Sequence, residues 1–210
     1  ATFQKQLATA TQIDQKAALW AIYGYYNDEF EAMQEIYKIN PKSEHINFLL
    51  TRWVNLQEEA INVYQEKAIN MPGSYHKEVA KAIDQKQFKW INEVASKPEN
   101  LQNPELWYLA SGYLNIFQGE FKQAAQLFSN ASKANKSNSQ LIKNQIRLMN
   151  LVNNVSQVKK INAETQENLL TDLKWLLYEI PETTTYEDSF RSEYATSWVK
   201  KYLSAVYKSD

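Results

Sequence analysis

His45 and His76 are the two imidazoles of the chain, and neither has a His, Asp or Glu three or four residues away that would share its helical face. Metal binding needs several donors converging on one ion at about 2 Å, so no metal site is expected from this spacing. Both histidines fall near expected helix starts and read as surface or capping residues. A nucleophilic serine needs a sharp Gly-x-Ser-x-Gly turn to expose it, and none is present. With no Cys at all, disulfides, thiolate metal sites and cysteine nucleophiles are excluded. The closest glycines, Gly112 and Gly119, are too far apart to cradle a phosphate. Glu58-Glu59 and Glu187-Asp188 are adjacent carboxylates. Neighbours in a helix point to different sides and cannot share a proton, so these read as solvated charge. The aromatics remain: 6 Trp, 13 Tyr and 8 Phe, residue types that supply much of the energy of peptide and protein recognition.

The charge balance narrows the partners. Lys and Arg total 23 against 24 Asp and Glu, a formal net charge of −1, without the basic stripe of a nucleic-acid binder. The longest uncharged run, Leu106 to Gly119, is well short of the roughly 20 apolar residues that span a bilayer, so no membrane insertion is expected. Hydrophobic residues at 44% rule out a disordered chain and predict an ordinary soluble surface over a sizeable core. The chain opens at Ala1 without a Met or a signal-type apolar core, which predicts a processed or excised segment of a longer polypeptide.

Only 4 Gly and 5 Pro are present, too few for many tight hairpins, and the apolar residues recur at helical spacing. One stripe runs from Phe3 to about Tyr26, and Asn27-Asp28 turns into a second that ends at Asn40-Pro41. A long helix follows from Ser43 to about Ala68, stopped at Met71-Pro72-Gly73. Two short stripes around Val79–Ile83 and Phe88–Ala95 precede Pro104, from which an almost wholly apolar helix runs to Gln118. Glu120 to Ala134 is the next amphipathic stripe, and further stripes lie around Leu141–Val152, Leu169–Ile180 and Phe190–Val206, the last after a Thr183–Thr185 loop. About ten helices with short connections predict an all-α array of antiparallel hairpins in one domain, 1–210.

Within that array, Tyr108-x2-Ser111-Gly112-x2-Asn115, Gly119, Phe121, Ala124-x3-Phe128 and Ala131 stand at the spacing of the tetratricopeptide repeat. Residues 105–138 thus resemble that family, departing from it at Ser111, Asn115 and Lys136. Trp20-x2-Tyr23-Gly24-x2-Asn27, Ala32-x3-Ile36 and Pro41 form a weaker, shortened copy over 20–41. The resemblance implies a TPR-like superhelix of stacked hairpins that binds a protein or peptide, with Gly112 and Ala124 at a close helix crossing. It also implies that the first helix of a hairpin lines the inner groove, which puts Leu106, Leu109, Tyr113, Ile116 and Phe117 there. Two readings of that face stand: an open apolar peptide groove, or a surface covered by another helix of the same chain. The covered face is favoured, because apolar patches of that size are uncommon on monomers.

The function expected is a non-catalytic helical-repeat scaffold with no cofactor, no metal and no catalytic residue. Its partner would be a protein or peptide, with Leu109, Tyr113 and Phe117 as peptide-groove candidates. The alternatives are an all-α enzyme whose scattered carboxylates and tyrosines escape recognition, and a peptide-sensing regulator.

Overall fold

The computed structural model describes residues 2–180 and 192–209. Among them the chain forms eleven α-helices and no strand, as the periodicity predicts. In order these are α1 (Phe3–Thr9), α2 (Ile13–Tyr26), α3 (Glu29–Ile39), α4 (Glu44–Ala68), α5 (Tyr75–Val79) and α6 (Gln85–Ala95). They are followed by α7 (Pro104–Phe117), α8 (Phe121–Ala134), α9 (Gln140–Val155), α10 (Ala163–Lys174) and α11 (Glu193–Ser209). A π turn, Trp175–Glu179, continues α10. The Glu187-Asp188 pair, Phe190 and the Thr183–Thr185 loop lie outside the described residues.

The first apolar stripe, expected as one helix, is two. The Thr9 hydroxyl turns back onto the Gln6 carbonyl at 2.8 Å, and Gln12 starts a new helix with its amide on Gln15 Oε1 at 3.5 Å. Side-chain bonds of this kind compete with the helical ladder. The break folds α1 back, so that the Phe3 ring meets Trp20 and Tyr23 at centroid distances of 4.9 and 4.6 Å.

Caps then place the remaining starts. The side chains of Asp28, Ser43, Asp84, Ser139 and Asn162 each accept from a first-turn amide of the helix that follows. Gly119, at φ +77, ends α7 in the left-handed conformation that glycine adopts without strain. With α8 only three residues beyond, the two helices are forced antiparallel. They approach closely at Gly112, where a Cβ would stand 2.4 Å from Cε1 of the fully buried Phe128. Gly112 is therefore at the hairpin contact, with the Phe128 ring as its partner, and Ala124 is fully buried on the same helix. The α2/α3 hairpin closes the same way, with Gly24 facing Ala32 at a distance of 2.6 Å from an added Cβ.

α7 is the centre of the fold, packed by α4, α5, α6, α8 and α9 and buried from Leu109 through Phe117. Ser111 and Asn115, two of the three departures from the repeat spacing, share a partner. Ser111 Oγ and Asn115 Nδ2 both donate to Asn92 Oδ1 of α6, at 2.6 and 2.9 Å, and Asn115 Nδ2 also reaches the Ser111 carbonyl at 2.7 Å. Ser111 is fully buried and Asn115 only 3% exposed, so removing their acceptor strands two buried donors. Asn92→Leu is expected to cost about 2 kcal/mol in urea unfolding. A midpoint within experimental error of the parent would show that the trio does not tie α6 to α7.

Three helices run side by side in one direction. Asn47 of α4 bonds Asn103 just before α7, and Glu58 further along α4 meets Tyr113 further along α7, so α4 and α7 are parallel. α8 reverses the chain and α9 restores its direction, with Asn153 near the end of α9 donating to the Phe121 carbonyl at the start of α8. The last helix, α11, packs onto the ends of α4 and α9 and onto α5. Tyr194 Oη bonds Asn62 and Gln65 of α4, Trp198 Nε1 donates to Tyr75 Oη of α5 at 2.7 Å, and Tyr202 Oη donates to the Ser156 carbonyl after α9 at 3.2 Å.

Candidate functional site

Between α4, α7, α9 and α11 lies an open-sided cavity of about 810 Å³, within the usual range of ligand pockets. Four-residue spacing builds one wall. Leu50, Val54, Glu58 and Asn62 form a single ridge of α4 that turns from apolar to polar along its length. α7 supplies the facing wall, and here the peptide-groove candidates Leu109, Tyr113 and Phe117 come together. Leu148, Met149 and Val152 of α9 close the apolar side. The three candidates are only 7%, 7% and 4% exposed, so neighbouring helices cover most of their surface.

The polar end gathers groups remote in sequence. Tyr113 Oη donates to Glu58 Oε1 at 2.6 Å, and burial followed by the charge of Glu58 holds the Tyr113 hydroxyl well above its ordinary pKa. Tyr194 Oη sits between the side-chain oxygens of Asn62 and Gln65, and burial pushes this hydroxyl up to about 12. One hydroxyl carries one proton, so it can satisfy only one of the two oxygens at a time. Trp198 and Ser156 complete this end.

His76 belongs to the same end, and this corrects the expectation of a surface or capping role. It is packed edge-on against Tyr75 and Phe121, both at 4.9 Å, with Nε2 at 3.3 Å from the Ser156 carbonyl. Since a carbonyl only accepts, Nε2 carries the proton and Nδ1, which makes no hydrogen bond, is left as an acceptor. Its partner is the carbonyl and not the Ser156 hydroxyl, so the two do not form a base–nucleophile pair. Desolvation lowers the His76 pKa from 6.5 to about 4, against the opposing pull of the Ser156 and Ile116 carbonyls. His45 is exposed in the first turn of α4, as expected.

The sign of the pH effect follows. Above pH 6.5 His76 is neutral in both folded and unfolded chains and contributes nothing. Below it the unfolded chain takes up a proton that the folded chain refuses, so stability falls as pH drops toward 4. Between pH 6.5 and 5 the loss is expected to be about 2 kcal/mol, and His76→Gln should flatten the dependence of the urea midpoint in that window. A parental midpoint that holds constant down to pH 5 would show that His76 is protonated without penalty in the fold.

Glu58, His76, Ser156, Tyr194 and Trp198 were not singled out as site residues by the sequence. For Glu58 a signal existed: it continues the ridge of Leu50 and Val54, whereas its neighbour Glu59 lies exposed at the cavity rim. Among the described residues no group of three or more His, Cys, Asp or Glu could hold a metal ion, and no helix is long and apolar enough to cross a membrane. Neither the protein-family models, nor the curated proteins, nor the solved structures contain a match to this chain, which leaves the chemistry of the cavity itself to indicate what it does.

Proposed function

We propose that this chain is a non-catalytic helical-repeat module that binds a protein or peptide partner in the cavity between α4, α7, α9 and α11. The observation that carries this reading is the lining: an apolar wall of Leu109, Tyr113 and Phe117 leads to a hydrogen-bonding end. That combination suits side chains of a polypeptide, with apolar groups for affinity and a few placed polar groups for orientation. Two further observations support a TPR-like stacking of hairpins. α4 and α7 run parallel, as the first helices of successive repeats do, and Gly112 and Gly24 each let a helix pair close tightly.

The test is selection of random displayed peptides on the full chain, followed by hydrogen exchange of the chain with the selected peptides bound. Protection is expected in 50–65, 106–117 and 141–156. Failure to select any binder, or binders that protect only other segments, would overturn the reading.

A further inference from the structure

The walls of the cavity dictate the form of its occupant, given the peptide-binding reading above. α4, α7, α9 and α11 are all helices, whose backbone N–H and C=O groups are taken up by their own i→i−4 ladders. None of them offers an edge to which a strand could be added. The most buried lining is apolar, with Leu50, Leu109, Leu148 and Val152 at 7% exposure or less. Beside it, Thr51, Asn55 and Gln145 are too few to pair with every peptide group of an extended chain. An extended segment laid here gives up water from N–H and C=O groups that the wall does not replace, whereas a helix has already bonded them to one another.

The shape of the walls points the same way. Leu50, Val54 and Glu58 on α4, and Leu141, Gln145 and Met149 on α9, are rows at four-residue spacing, the ridges between which a helix seats ridges of its own. The chain holds one example. α11 is a helix lying against the ends of α4 and α9, and two of its residues four apart, Tyr194 and Trp198, line the cavity. It leaves Leu141, at the start of α9, 55% exposed. A helix is about 10 Å across and rises about 5.4 Å per turn, so a space of about 810 Å³ takes about two turns of one.

We propose that the occupant is an amphipathic helical segment of the partner, laid beside α11 with its apolar stripe between α4, α7 and α9. The probes are two displayed libraries of peptides of about a dozen residues, matched in composition and selected on the full chain. In one the apolar positions recur at three and four, and in the other they alternate. Binders are expected from the helical pattern in about tenfold or greater excess, and an isotope-labelled binder is expected to show helical Cα chemical shifts when bound. Proline at the centre of such a binder is expected to weaken it about tenfold or more. Leu141→Ser is expected to weaken it about three- to tenfold, and Leu170→Ser, comparably exposed on α10 but away from the lining, to leave it unchanged. Indifference to the central proline or to Leu141→Ser would overturn the proposal. Binders that come from the alternating library, stay extended when bound and protect 50–65, 106–117 and 141–156 from exchange would overturn the helical form while leaving the peptide-binding reading intact. No binder from either library would overturn both.

Discussion

Trp198→Ala is expected to lower the stability of this chain by about 4 kcal/mol, the loss typical of truncating a buried indole. Trp198 is 5% exposed, stacks on Tyr202 at 5.0 Å and meets Tyr75 at 5.9 Å. It also holds Tyr75 chemically: its Nε1 donates to the Tyr75 hydroxyl at 2.7 Å, and Tyr75 is fully buried. Truncation therefore removes packing and leaves a buried acceptor without its donor. Trp198→Phe separates the two effects, because it keeps an aromatic ring and deletes the N–H; about 1–3 kcal/mol is expected. Urea unfolding of both variants decides the matter. A loss below about 1 kcal/mol for Trp198→Ala would mean that α11 does not depend on this anchor. Since α11 crosses one end of the cavity, the same variant is expected to expose that end, raising exchange rates in 50–65.

Gly112→Ala is expected to cost about 1–3 kcal/mol although it improves the helix former. Intrinsic propensity favours Ala in a helix interior by about 1 kcal/mol, so the sign is decided by the tertiary contact. An added Cβ would lie 2.4, 2.9 and 3.0 Å from three atoms of the Phe128 ring, closer than carbon atoms approach without displacement. Phe128 is fully buried, so the ring cannot swing into solvent to make room. α7 and α8 must separate or Phe128 must leave its rotamer, and either change propagates through the helix around which the others pack. The double variant Gly112→Ala/Phe128→Leu tests the mechanism, since the smaller side chain frees the space. Its loss should be clearly less than the sum of the two single losses. Strict additivity, or a stabilised Gly112→Ala, would show that the hairpin tolerates a wider spacing.

Helix identity was legible because it depends on neighbours within a few residues. The α4 and α7 spans follow from an apolar stripe between a capping residue or proline and a breaker, and α8 from the stripe that begins after Gly119, all local signals. The close approach at Gly112 was also legible, though not its partner. The break between α1 and α2 was hidden, since the stripe from Phe3 to Tyr23 continues through it and folding back keeps the same residues in contact.

The site divides along the same line. Leu109, Tyr113 and Phe117 could be named from the sequence because one helix that is apolar nearly all round must present some of its surface to a space between elements. His76, Ser156 and Tyr194 could not, because nothing local distinguishes them from solvated residues, and Glu58 had only its place on the ridge of Leu50 and Val54 to mark it. Their roles come from partners far away in the chain: Tyr113 for Glu58, the Ser156 carbonyl for His76, and Asn62 and Gln65 for Tyr194. The sequence by itself determined an all-helical chain and its hairpin with Gly112 at the contact, since short-range periodicity and turn chemistry carry that information. Only the tertiary structure decided that α11 returns onto α4, α5 and the end of α9, and so which polar groups share one cavity end, because burial and hydrogen bonding between distant segments exist only once the chain has folded.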